Sequence, residues 1–329
     1  MKAAVLTTPA AIASRPLRVT DVGRPEVTDG LILLRVRACG ICRTDLHILE
    51  GELPPRREAL IPEHQIVGEI VEGATALLPG GTRVGVSWIG GVDGSCWYCR
   101  HGAVNLCDAP TFTGYSIDGG YAEYAVARSD FVFPLPPALD DLHAAPLLCT
   151  GIIGFRSLRV AGVQAKERWG SSDSAPRRIW RCPSAGLGLF GVRLDSWRRA
   201  PRVASSLGAT WVGTERETPP VLLDRAITFA PSGDVVLAAL VRLRKGGVVA
   251  VNAIHLDRMP EFDYDTLLWG ESQIRSVTNM TRSDAHDLLQ LAAEIDLAPQ
   301  VTLFPLAEAN EALLGLKNDA IRGAAVIVP

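Results

Sequence analysis

The chain has 329 residues, 47% hydrophobic and 21% charged, with a formal net charge of -3 and a pI near 6.1. That length accommodates two domains, and the composition is that of an ordinary globular protein. The weak acidity gives no electrostatic case for nucleic acid, no apolar run reaches the roughly 18 residues of a membrane span, and the apolar start Met1-Lys2-Ala3-Ala4-Val5-Leu6 is too short for a signal peptide and soon meets Pro9.

Residues 1 to about 150 read as β-rich. Leu31-Ile32-Leu33-Leu34-Arg35-Val36-Arg37, Ile66-Val67-Gly68-Glu69-Ile70-Val71 and Val84-Gly85-Val86-Ser87-Trp88 are strand candidates, and the glycine pairs at 80–81, 90–91 and 119–120 mark turns. This spacing predicts a small barrel or folded sheet. Within it, a thiol, a guanidinium, a hydroxyl, a carboxylate and an imidazole crowd into Cys42-Arg43-Thr44-Asp45-Leu46-His47. Pro62-Glu63-His64-Gln65 follows, and Leu148-Cys149-Thr150-Gly151 closes the region. Two thiolates and an imidazole from three distant segments suit a catalytic zinc, which takes about three protein ligands and keeps one position open.

Between them, Asp93-Gly94-Ser95-Cys96-Trp97-Tyr98-Cys99 and then Cys107 offer a second donor set. Seven cysteines is an odd number, and Cys-x-x-Cys pairing favours metal over disulfides. A carboxylate oxygen is a competent zinc ligand, so Asp93 can complete the set; the alternative is a loop of free thiols with no metal. The stretch lacks the basic surround of a nucleic-acid-binding zinc ribbon.

From about 150 to 283 the pattern becomes strand, helix, strand, as a doubly wound nucleotide-binding sheet requires. Ala226-Ile227-Thr228-Phe229-Ala230 reads as a strand, Asp234 to Lys245 as a helix stopped by Gly246-Gly247, and Val248-Val249-Ala250-Val251-Asn252 and Ile274-Arg275-Ser276-Val277-Thr278 as further strands. The tail reads as one amphipathic helix, Asp284 to Ile295, and a closing strand, Ala324-Ala325-Val326-Ile327-Val328.

These segments resemble the zinc-dependent medium-chain alcohol dehydrogenases, of the propanol-preferring type. The resemblance implies an α/β protein with a GroES-like β-rich catalytic domain at 1–149 and 284–329, and a Rossmann-type NAD(P)-binding domain at 150–283. It implies Cys42, His64 and Cys149 as catalytic zinc ligands, with Asp93, Cys96, Cys99 and Cys107 holding a structural zinc. Thr44 and His47 then carry the alcohol proton outward past the cofactor ribose, Arg43 faces the cofactor pyrophosphate, and Asp45 orients His64. Gln65 stands where the family has a glutamate near the zinc, and keeps the carbonyl oxygen without the charge. Trp88 falls at the family's substrate-pocket aromatic; its plainer reading is a core residue. The implied reaction is oxidation of small primary alcohols to aldehydes, and the reverse, with two zinc ions and NAD, NADP being the alternative. A cytoplasmic homodimer or homotetramer without membrane or nucleic-acid partners is implied as well. A dehydrogenase for a polyol or another alcohol is the alternative within that chemistry.

One stretch departs from the family. Residues 166–202 crowd Arg with Trp169, Trp180 and Trp197, and show neither a helix nor a strand period. Asp173-Ser174-Ala175-Pro176-Arg177-Arg178 stands where a Gly-x-Gly-x-x-Gly phosphate loop belongs, and has no glycine. The literal match Gly186-Leu187-Gly188-Leu189-Phe190-Gly191 comes about a dozen residues late. Preserved length with altered content points to two compensating reading-frame shifts. Written in one chosen set of G+C-rich synonymous codons and read from the third base of the Lys166 codon, residues 166–183 become Gly-Ala-Leu-Gly-Leu-Phe-Gly-Phe-Gly-Ala-Ser-Ala-His-Leu-Ala-Leu-Pro. The Gly-Phe-Gly-Ala-Ser-Ala fingerprint then falls on 173–178. The alternatives are a divergent segment, and a zinc-binding relic that has lost its cofactor.

Overall fold

The structure, a computed structural model, describes residues 1–164, 167–172, 190–194, 211–213 and 217–329. The chain divides into two compact units, Met1–Ile152 with Asn279–Pro329, and Ile153–Thr278.

The first unit is built on a seven-stranded sheet ordered Val301–Pro305, Ala324–Val328, Leu31–Gly40, Ile66–Glu72, Arg83–Val86, Val132–Pro134, with Tyr124–Arg128 also pairing on Leu31–Gly40. Strand Leu31–Gly40 is its spine. Ile32, Leu33, Leu34 and Val36 are buried while Arg35 and Arg37 are exposed, so the run is apolar first and alternates later. Its two register shifts against Ile66–Glu72 bend the ladder as it approaches the cysteine-bearing turn at 39–42. The main core gathers around it, with Ile32, Leu34, Ile66 and Ile70 packing against Tyr121 and Leu313.

The tail of this unit holds more than the sequence reading expected. Helix Arg282–Glu294 is there, opened by a reciprocal cap in which Thr281 accepts from Asp284 N–H and Asp284 accepts from Thr281 N–H. Strand Val301–Pro305 and a second helix, Ala309–Lys317, follow before the closing strand. That helix buries Ala309, Ala312, Leu313 and Leu316, a helical face whose alanines give a weak hydrophobic signal.

Among the described residues the second unit carries six strands, all parallel, ordered Trp211–Gly213, Phe190–Leu194, Arg168–Ser172, Leu223–Thr228, Leu243–Val251, Gln273–Ser276. In chain order that is 3-2-1-4-5-6, the doubly wound arrangement whose strand order reverses beside the first strand. Two expectations are corrected here. The helix begun near Asp234 spans Gly233–Val241 and ends before the glycine pair, because Leu243 already pairs with Leu223. Gly246 (φ +76°) and Gly247 instead form an irregularity inside strand Leu243–Val251. Second, 166–202 is not without strands: Arg168–Ser172 and Phe190–Leu194 both pair in the sheet. Flanking strands supply backbone partners that local composition does not foretell.

Gly191 of the late Gly-x-Gly-x-x-Gly match pairs with Trp169 inside a strand, so that match is not a strand-to-helix phosphate loop. Positions 173–178 lie outside the described residues. The helical run Asp141–Ala161 is long and apolar enough by composition to cross a membrane, but 56% of its apolar window is buried within the fold, as core helices are.

Candidate active site

Cys42 is the N-cap of helix Arg43–Leu49, in extended conformation, and Asp45 folds back to accept its backbone N–H at 2.8 Å. This local cap fixes the thiol at the start of the helix and buries Thr44 and Asp45 in the first turn. Thr44 Oγ1 lies 3.5 Å from Cys42 Sγ. His47, one turn along and partly exposed, has Nδ1 against Glu52 Oε2. Arg43 pairs with Asp319 at 3.2 Å.

His64 is carried by a loop, Pro62 to Gln65, that closely packed glycines clamp. Gly119 N–H donates to Ile61 O at 2.7 Å, and Gly120 N–H to Glu63 O at 3.1 Å. A Cβ on Gly119 would sit 1.8 Å from Glu63 O, so the two backbones meet only because that side chain is absent. His64 is buried, its ring edge-on to Trp88 at 5.0 Å between centroids. Trp88 stacks in turn on Phe112 and Tyr115, at 4.8 and 5.9 Å.

Cys149 lies in a π-helical turn, Leu147–Gly151, entered from helix Asp141–Pro146. Such a wide turn re-aims side chains and recurs at functional sites. Ser87 Oγ donates to Leu148 O at 2.5 Å, and Gly85 leaves the space that the Leu148 side chain fills.

These three segments bring donor atoms of Cys42, His64 and Cys149 within 4.8 Å of one another. Tetrahedral zinc bonds of about 2.0–2.3 Å need only slight closure from that spread. Charge fits as well. Asp45 Oδ1 lies 3.8 Å from His64 Nδ1, and Oδ2 accepts from Tyr121 O–H at 3.2 Å. Burial lifts Asp45 to about 7, against the pull of His64. Burial also pushes Glu63 well above the usual carboxylate range. Burial alone would lower His64, but the Cys42 thiol and the carboxylates of Asp45 and Glu63 outweigh it and raise the ring to about 9. Asp45 Oδ1 and Glu63 Oε2 are buried acceptors without a hydrogen-bond partner among the described residues. A buried knot of acids, thiols and imidazole, all competing for protons, is the donor chemistry a dication satisfies.

The second set also converges. Donor atoms of Asp93, Cys96, Cys99 and Cys107 lie within 4.8 Å of one another. Asp93 Oδ1 accepts from Ser95 N–H at 2.6 Å and Cys96 N–H at 2.7 Å. Those N–H groups, with the Cys107 thiol, hold the Asp93 carboxyl well below its usual range. Backbone N–H groups of Asp108 and Cys99 lower Cys96, while burial and the thiols of Cys96 and Cys107 push Cys99 up to about 12. The loop orients three sulfurs and a carboxylate toward one point, which fits a four-coordinate metal.

Several partners were not visible to sequence reasoning. Glu52 and Asp319 meet His47 and Arg43 only through tertiary structure. Tyr121 reaches Asp45 across 76 residues. Glu63 is the residue whose signal was present and unread: an acid immediately before the histidine, beside the very position where a carboxylate was judged lost.

Residues 28–137 match the family model described as the alcohol dehydrogenase GroES-like domain. A probable alcohol dehydrogenase AdhA of Mycobacterium tuberculosis (strain CDC 1551 / Oshkosh) is 40% identical over 319 residues, covering 94% of this chain and 91% of the relative. An alcohol dehydrogenase of Geobacillus stearothermophilus is 32% identical over 342 residues, covering 99% of each. Among solved structures, the crystal structure of AibC superposes with a TM-score of 0.90 at 26% identity, covering 100% of this chain and 96% of that one. With a full-length relative at this identity, and with both donor sets assembled, the chain belongs to the zinc-dependent medium-chain alcohol dehydrogenase family.

Proposed function

We propose that this chain oxidises small primary alcohols to aldehydes, and the reverse, with NAD as its redox partner and two zinc ions. One ion would be held by Cys42, His64 and Cys149, the other by Asp93, Cys96, Cys99 and Cys107. The observation that carries the reading is the convergence of two thiols and a buried imidazole, from three segments, on one point. Zinc in the first set supplies a Lewis acid that lowers the pKa of the alcohol oxygen, and NAD supplies the hydride acceptor.

The chain's own groups do the rest. Thr44 Oγ1, beside Cys42 Sγ, accepts the alcohol proton. His47, partly exposed one turn along the same helix, passes it outward. Asp45 Oδ2 accepts from the Cys42 N–H while Oδ1 faces the His64 ring at 3.8 Å, placing a carboxylate between the helix start and the imidazole. Trp88, edge-on to His64 and backed by Phe112 and Tyr115, walls the substrate side and limits its width. The parallel sheet of the second unit has the order of dinucleotide-binding folds, with its reversal point between the strands ending at Ser172 and Thr228.

Elemental analysis and alcohol-dependent NAD reduction test the reading together. Wild type should carry two zinc ions; Cys42→Ala should lose one ion and the activity, and Cys99→Ala should lose the other ion. Wild-type zinc content in both variants would overturn the ligand assignment. A second reading is favoured by the glycine-free stretch 173–178: a zinc-loaded chain whose cofactor binding is impaired. That form would keep both ions and fail to reduce NAD.

A further inference from the structure

Glu63 stands at φ +84°, in the left-handed region that favours glycine, and its side chain is fully buried. Both features carry a cost, the first steric and the second through desolvation. The backbone cannot swing away, because Gly114 and Gly119 enclose it: a Cβ on either would come within 2.4 Å of Glu63 N or 1.8 Å of Glu63 O. Oε1 accepts from Gln65 N–H, whereas Oε2 has no hydrogen-bond partner among the described residues. Among the described residues no lysine or arginine pairs with Glu63 or Asp45. Asp45 Oδ1 lies 3.8 Å from the His64 ring and Glu63 precedes that histidine in the chain, so two buried carboxyls neighbour one donor set. Buried like charges persist together only around an opposite charge, and a dication at Cys42, His64 and Cys149 supplies it.

We propose that Glu63 is a positioning residue of this metal centre: its carboxylate supplies the negative charge beside His64 that retains the dication. The site accordingly keeps a carboxylate one residue before the histidine while Gln65, one residue after it, is neutral. This rests on the reading that Cys42, His64 and Cys149 hold metal.

The test is retention of zinc by the full chain against a chromophoric chelator. Glu63→Gln keeps the side-chain volume and an acceptor for Gln65 N–H but removes the charge. One of the two ions should then be released about 10- to 100-fold more readily, the range for partners that support a metal's ligands, while the ion at the Asp93 lobe is held as in wild type. Glu63→Gly separates charge from strain. Its metal-free form should melt at or above the wild-type midpoint, because glycine accepts a positive φ, yet it should lose the same ion as readily. Adding Gln65→Glu to Glu63→Gly returns a carboxylate beside His64 and should recover retention. Wild-type retention in Glu63→Gln overturns the proposal, as does failure of the double variant to recover. If Cys42→Ala loses one ion while Glu63→Gln keeps both, only the role of Glu63 falls. If Cys42→Ala itself keeps both, the ligand assignment falls with it.

Discussion

His47 shows what a single side chain can be asked to do here. Nδ1 of its ring faces Glu52, and about a third of the side chain is exposed. On the proposed relay, in which His47 moves a proton and holds no metal, His47→Gln should lower turnover several-fold near neutral pH with zinc content unchanged. Loss of an ion in that variant would make His47 a ligand and remove it from the proton path. At this scale the sequence was legible wherever chemistry restricts residue type. Cys42, His64 and Cys149 stand out because few side chains bind zinc, and they do come together in space. Glu52, Asp319 and Tyr121 were illegible because an ordinary acid or phenol acquires its role only from a partner brought in by tertiary folding. Glu63 was partly legible: its type and place were plain, but only the backbone angle and the burial show how much the fold concedes to keep it.

Elements aim these side chains. The cap at Cys42 and Asp45 starts one helix, and a π turn carries Cys149. The turn is held from below by strand Arg83–Val86, where Gly85 faces Leu148. A Cβ at 85 would come 2.3 Å from Leu148 Cδ2, and Leu148 is fully buried with nowhere to turn. Gly85→Ala should therefore overpack the turn, costing about 1–3 kcal/mol of stability in denaturant unfolding. The displaced turn should also weaken metal retention at the Cys42 set. A wild-type denaturation midpoint would show that the turn does not depend on this contact. Strand Leu31–Gly40 was readable because its apolar run meets the length and β-branched content of a buried strand. Helix Ala309–Lys317 was missed because alanines on its inner side blur the amphipathic pattern, and Gly233–Val241 was overextended because glycines that serve an irregular strand look like a helix stop.

At the scale of the molecule, the second unit sets a demand that its sequence does not meet. A parallel sheet ordered 3-2-1-4-5-6 puts strand Arg168–Ser172 between Phe190–Leu194 and Leu223–Thr228, where near-continuous apolar runs are the rule. The chain supplies Arg-Trp-Gly-Ser-Ser there, and Trp169 Nε1 and Ser172 Oγ are buried without hydrogen-bond partners among the described residues. The restored reading frame would place Ala-Leu-Gly-Leu-Phe over 168–172, and Gly-Phe-Gly-Ala-Ser-Ala immediately after it. Glycines at that turn let backbone N–H groups approach a pyrophosphate, and the following helix N-terminus adds its donors. In the chain as written, Pro176 has no N–H to donate and none of residues 173–178 is glycine. The chain should accordingly bind NADH weakly. A version carrying Gly-Phe-Gly-Ala-Ser-Ala at 173–178, with the rest of 166–202 in the restored frame, should bind it tightly and melt at a higher temperature, since an apolar strand replaces a polar one in the sheet interior. Fluorescence titration with NADH on both forms decides it: micromolar binding by the chain as written would mean that its own residues at 173–178 make a working phosphate site without a single glycine.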